Sequence, residues 1–330
     1  VSIDWMMVLA TFGIGIVVGL TGMGGGALMT PALVLFFGVP PLTAVSSDLV
    51  ASAVMKPVGS VVHLRRGTVN LSLVKWLCIG SIPSALAGVV VLHALGDGER
   101  VQTAIRLGLG IALLIAAAGL AIRAYIRLVE RARKRDGSAT ALPQGRPEVR
   151  IRPVPTLVVG AVGGFVVGMT SVGSGSLMIV ALMALYPTLK ASQLVGTDLV
   201  QAVPLVTTAA LAHVFLGDFH MDLTLSLLLG CVPGAWIGAR ISSAAPGGFI
   251  RRALAFVLFA SSLKLLGLDN VTTGIVLSIA ILVGPAIWFA IRRHHGFPAL
   301  ARGWRSGTLG GNSTPSSEAT QVSDSEQRQR

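Results

Sequence analysis

Asp48 and Asp198 are the carboxylates placed clearly inside long apolar segments of this chain. Such a position costs several kcal/mol unless the group faces a cavity or a partner. Small polar residues precede both: Ser46-Ser47 and Gly196-Thr197. Two chemistries fit. One is a site that binds and releases a coupling proton, or holds a cation. The other is a helix N-cap, since a Ser/Thr-Asp pair where an apolar run begins is a capping signature. Lys56 is the sole lysine deep in an apolar segment, and Val206 stands at the corresponding place later in the chain. It could neutralise Asp48 or attract an anion. His63 and His213 each follow their aspartate by fifteen residues. A histidine titrates near neutral pH, which suits a gate or relay, while a simple interfacial residue at a helix end is the plainer reading.

Two glycine-rich breaks interrupt hydrophobic segments. They read Thr21-Gly22-Met23-Gly24-Gly25-Gly26 and Thr170-Ser171-Val172-Gly173-Ser174-Gly175. In a bilayer, irregular backbone persists only where protein or a water-filled cavity satisfies it. A break followed by a short helix turns unpaired backbone N–H groups, and the positive end of a helix dipole, toward that cavity. Corresponding broken segments in two halves point to a transporter's central site. Backbone groups at Gly24, Gly25 and Gly26 and at Gly173, Ser174 and Gly175 are therefore candidates to hold an anion, helped by Thr21 and Thr170. Close helix packing through small residues is the competing use of the same glycines.

Positioning these groups falls to long apolar helices. Of 330 residues, 53% are hydrophobic and 12% charged, with a mean hydropathy of +0.77. Soluble domains carry about 25% charged residues, so the chain reads as a polytopic all-α membrane protein. Two related halves are evident. Gly19-x-Thr21-x-x-Gly24-x-Gly26-x-Leu28-Met29 returns as Gly168-x-Thr170-x-x-Gly173-x-Gly175-x-Leu177-Met178. One residue later in register, Asp48-Leu49-Val50 matches Asp198-Leu199-Val200, and Gly80-x-x-Pro83-x-x-x-x-Gly88 matches Gly230-x-x-Pro233-x-x-x-x-Gly238. The pattern predicts a first repeat over 1–127, a basic cytoplasmic linker over 128–153 and a second repeat over 154–268. An additional helix at 269–292 and a disordered cytoplasmic tail at 293–330 complete the chain. Each repeat would be a glycine-broken hairpin followed by three transmembrane helices.

The net charge of +12 lies mostly in short runs between apolar segments, as at Arg65-Arg66 and Arg251-Arg252. That follows the positive-inside rule and lacks the interleaved aromatics of a nucleic-acid surface. Placing those runs in the cytoplasm requires both hairpins to enter and leave on one side, which makes the repeats inverted. Cys78 and Cys231 are too few for a disulfide framework or a metal-ligand pattern. No cofactor loop or clustered nucleophile and base is present. The expectation is a protein without enzymatic activity, metal or cofactor, whose partners are the bilayer, a small anion and protons.

The glycine-rich break, the duplicated Asp/Ser-containing second helix and the Gly-x-x-Pro-x-x-x-x-Gly third helix resemble the sulfite exporter TauE/SafE family, over about 3–268. The resemblance implies a cell-membrane permease for sulfur-containing anions such as sulfite or an organosulfonate. It also implies site elements at Thr21, Gly24, Gly26, Thr170, Gly173 and Gly175, with Ser47 and Thr197 at the polar start of the following helix. A passive anion channel and a non-transporting membrane subunit of a larger complex are the alternative functions.

Overall fold

A computed structural model of the chain describes residues 3–21, 25–96, 98–135, 151–175, 177–189, 191–216, 219–241 and 247–294. Every regular element among them is a helix. The first half holds α1 (Trp5–Thr21), α2 (Gly26–Phe36), α3 (Pro41–Arg65), α4 (Leu71–Ala94) and α5 (Glu99–Arg135). The second holds α6 (Pro153–Thr170), α7 (Leu177–Leu185), α8 (Ala191–Leu216), α9 (Met221–Ile241) and α10 (Gly247–Leu265), and α11 (Asn270–His294) follows. Seven of these, α3, α4, α5, α6, α8, α9 and α11, contain stretches long and apolar enough to cross a membrane. This is the polytopic all-helical class expected, with two hairpins broken at their glycine-rich centres.

The broken helices are short for a physical reason. Eleven residues in α2 and nine in α7 give lengths of roughly 16 and 14 Å at 1.5 Å per residue. Each is about half the ~30 Å depth of a hydrocarbon core, so neither can cross alone. The next helices start sharply. Pro40 and Pro41 open α3, with Pro41 at the first helical position, where its missing N–H costs nothing. Asn70 caps α4 by accepting from the Leu73 N–H at 3.2 Å. Helix α5 runs on to Arg135, eight residues into the stretch expected to be a linker. Its apolar membrane-crossing stretch ends at Ile126, beside the end expected for the first repeat at 127, and the basic residues that follow continue the same helix. Residues 136–150 and the tail from 295 lie outside the described residues.

The two halves interlock. The most extensive pairings are α1 with α9 and α4 with α6, followed by α5 with α10 and α3 with α8. Because α1 corresponds to α6 and α4 to α9 in the repeat, the first two pairings are the same contact made twice with the halves exchanged. Glycines make both seams. A Cβ on Gly230, Gly234 or Gly238 of α9 would collide with the α1 backbone at Val8, Phe12 and Ile16. One on Gly160, Gly164 or Gly168 of α6 would collide with α4 at Leu77, Ser81 and Ala85. Small residues four apart let helix backbones meet in a membrane where no water drives them together. Pro83 and Pro233 sit within these two packed helices. By contrast α11 borders only α10 to any extent; Val271 and Leu282 are more than 70% exposed, as a lipid-facing helix requires.

Candidate functional site

Asp48 lies two turns inside α3, and the cap position belongs to Pro40. Likewise α8 starts at Ala191, seven residues before Asp198. Neither aspartate is an N-cap: a proline-led first turn extends α3 backward past Ser47-Asp48, and α8 likewise begins well before Thr197-Asp198. Both carboxylates are fully buried.

Three elements converge on Asp48. Thr30 of α2 donates to Oδ2 at 2.9 Å, and Ser171, in the second break, donates to the same oxygen at 2.6 Å. Hydrogen bonds to an ionised carboxylate are short and strong. The Oδ1 atom and the neighbouring Ser47 hydroxyl are buried with no hydrogen-bond partner among the described residues. Beside Oδ1 are Gly25, whose added Cβ would sit at 3.7 Å, and the Ser52 hydroxyl, 3.9 Å from that same Cβ. Ser171 is the one described non-glycine residue at positive φ, 56°. Its N–H ends α6 on the Val167 carbonyl at 2.8 Å while its side chain reaches Asp48. The breaks themselves touch, since a Cβ on Gly26 would overlap the Ser171 carbonyl.

Asp198 is held differently. Gln201 donates to it at 3.2 Å from one turn along α8, the Gly175 backbone N–H is directed at it, and Arg123 of α5 acts on it electrostatically. Lys56 donates to Ser174 in the same break and lies within electrostatic reach of Asp198 and Asp48. The segment Ser171–Gly175 thus runs from one carboxylate, past the lysine, to the other.

The helix pair sets the spacing. Ser46 bonds His213 at 3.0 Å, Ser60 bonds the Leu199 carbonyl at 2.9 Å, and His63 borders Gly196. As one number rises the other falls equally, so α3 and α8 run antiparallel. Asp198 is then level with Val61, roughly 20 Å from Asp48 along the axis at 1.5 Å per residue. Lys56 stands between these levels.

Other expected site residues have evident local duties. The Thr170 hydroxyl bonds the Val166 and Val172 carbonyls and accepts from the Val172 N–H, so it shapes the break. Thr197 accepts from the Asn70 N–H at 3.1 Å. Gly173, at φ 135°, holds a backbone form that side chains rarely adopt. His213 is buried between Ser46 and the Gly168 carbonyl, and His63 bonds Thr68 at 2.9 Å. These histidines lie at opposite ends of the α3–α8 pair. Thr21 ends α1, with its side chain outside the described residues, as is all of Gly24.

Sequence reasoning missed Thr30, Ser171, Gln201 and, on α3, Ser52 and Ser60. One signal was available for the last group. Asp48, Ser52, Lys56 and Ser60 recur every four residues, the spacing of one helix face, and all four are buried.

The chain matches the family model described as "Sulfite exporter TauE/SafE" over residues 7–265. It is 38% identical over 257 residues to "Probable membrane transporter protein YjnA" of Bacillus subtilis (strain 168), covering 77% of this chain and 96% of that one. A second protein of the same organism, "Probable membrane transporter protein YdhB", is 23% identical over 252 residues, covering 76% and 94%. No solved structure matches the chain significantly.

Proposed function

The chain belongs to the sulfite exporter TauE/SafE family, and from that premise we propose that this membrane transporter moves a small sulfur-containing anion, such as sulfite or an organosulfonate, coupled to protons. One observation carries the reading. The two glycine-broken hairpins meet at Gly26 and Ser171, and the buried carboxylate of Asp48 is bonded from both of them. Polar groups packed into the apolar centre of a helical bundle mark a pathway by default, and broken helices from two halves supply its backbone donors.

Orientation follows from charge. With Arg65-Arg66, the basic linker and Arg251-Arg252 in the cytoplasm, the repeats are inverted across an inner membrane. Asp48 then occupies the outer half of the pathway and Asp198 the inner half. Alternating access would open the pathway to each side in turn, letting Asp48 exchange protons with the outside and Asp198 with the cytoplasm.

The test is uptake into proteoliposomes of purified protein, offered sulfite, sulfate, thiosulfate and sulfoacetate with and without a proton gradient. Gradient-stimulated movement of a sulfur anion is the expected result. Flux indifferent to the gradient would make the protein a channel, and no flux for any of the four would remove this reading.

A further inference from the structure

The two halves of the pathway are chemically unequal. On α3 the buried face reads Asp48, Ser52, Lys56 and Ser60; the repeat aligns these with Asp198, Ala202, Val206 and Ala210 on α8. The hydroxyl donors to Asp48 are also one-sided. Thr30 corresponds to Ile179 and Ser171 to Gly22. A polar lane therefore runs along α3, and α8 contributes Asp198 and Gln201 at one end of it. The ammonium of Lys56 is the cation of that lane, 6% exposed and tethered to Ser174.

Charges close to zero around it. Lys56 answers both Asp48 and Asp198, Arg123 answers Asp198, and among the described residues Cys231 of α9 lies within reach of Asp48, with His213 one hydrogen bond away through Ser46. A monovalent anion added to this neutral set leaves one negative charge unanswered, and one proton on a carboxylate restores the balance. A dianion accompanied by one proton would leave a second charge in a low-dielectric interior, where an unpaired charge costs several kcal/mol, and a second proton would have to go onto Asp198, which Arg123 already answers. Resting on the transporter reading above, we infer that Lys56 is the anion-binding cation, that its ligand is a monovalent oxyanion of the sulfonate class, and that one proton accompanies each anion. On arrival the anion takes the Lys56 ammonium, with the hydroxyls of Ser174, its present partner, and of Ser52, one turn back on the same face of α3, to complete its shell. The carboxylate that Lys56 had been answering takes the proton.

Methanesulfonate, a monoanion, and sulfate, a dianion, are the probes at neutral pH. Calorimetry on the purified full chain should show methanesulfonate binding at least about tenfold more tightly, a difference of ~1.4 kcal/mol. Lys56→Met should lose that binding and Lys56→Arg should keep it. In wild-type proteoliposomes, methanesulfonate uptake should respond to a pH gradient and ignore an imposed membrane potential, because one proton and one monoanion carry no net charge. This arm needs no variant and stands even where Lys56→Met fails to fold. Sulfate binding as tightly as methanesulfonate, unchanged binding by Lys56→Met, or potential-driven uptake would overturn the inference while the transporter reading survived. Absence of both binding and transport in the wild type would sink the two together.

Discussion

At Asp48 two hydroxyls from different hairpins converge on one carboxylate oxygen while the other oxygen has no hydrogen-bond partner among the described residues. This makes the residue both anchored and available, since the bonded oxygen fixes the rotamer and the unpaired one can accept a proton. Asp48→Asn should keep most of the shape and leave no titrating group; uptake measured with and without a pH gradient should become equal in the two conditions. Ser171→Ala removes one charge-assisted bond, an interaction of about 1.5–3 kcal/mol, and should shift the pH profile of transport with little change in expression. An unchanged profile would mean that the hydroxyl serves only the α6 terminus. Asp48 itself was legible, because a carboxylate in an apolar run is conspicuous. Its partners were not. Thr30 and Ser171 are unremarkable in sequence and lie far from Asp48 along the chain. Ser171 also corresponds to a glycine in the other half, so the repeat gave no hint of it.

Among the elements, the breaks and the seams carry the architecture. Gly173 adopts φ 135°, and an added Cβ would press within 3.2 Å of both Leu177 and Val167. Gly173→Leu should therefore distort the segment that joins Asp48, Lys56 and Asp198, at a strain of about 1–3 kcal/mol. Transport should be lost while membrane insertion, followed by fractionation, is retained; normal transport by this variant would exclude the break from the site. Gly234→Ala belongs to a different class, because its Cβ would meet the α1 backbone at Phe12. Overpacking of that kind costs about 1–3 kcal/mol, and a lower melting temperature in detergent is the expected outcome. The hairpins, helix order and extra last helix were all readable from hydropathy. Helix α5 outruns its apolar span because its charged final turns still satisfy helical propensity once apolarity ends. Helix starts were misread because a proline-led turn extends α3 beyond the Ser-Asp signature.

Outside the span, Asp269 accepts from the Val271 and Thr272 N–H groups at 3.0 Å each. Bonds from Thr272 foremost hold its carboxyl below the usual range. A depressed carboxyl stabilises the start of α11 above its ordinary pKa and loses that effect as pH falls through the lower folded value. The protection factor of the amides at 271–274, taken against the intrinsic exchange rate at the same pH, should accordingly fall in acid, and Asp269→Ala should show the lower protection at every pH.

For the whole molecule, the decisive fact is that the largest pairings cross between halves. A half expressed alone would leave its glycine seam unfilled, with α1 lacking α9 or α6 lacking α4. Cutting the chain between 136 and 150 and co-expressing the pieces should yield a complex that a tag on either piece recovers. The second piece alone should degrade, and its stable accumulation would contradict the interlocked arrangement. Composition, hydropathy and the internal repeat by themselves determined the membrane class, the two halves, the broken hairpins and the residues worth suspecting. Each of those depends on local patterns, namely apolar length, backbone-breaking glycine and isolated charge, that any segment declares unaided. Which half supplies the partners was decided only in three dimensions. The antiparallel register of α3 on α8, the meeting of Gly26 with Ser171 and the placing of Lys56 between two aspartates depend on how far helices slide and which faces meet. Those are settled by packing across the whole bundle, where glycine seams and a few buried hydrogen bonds choose one arrangement among many that hydropathy alone permits.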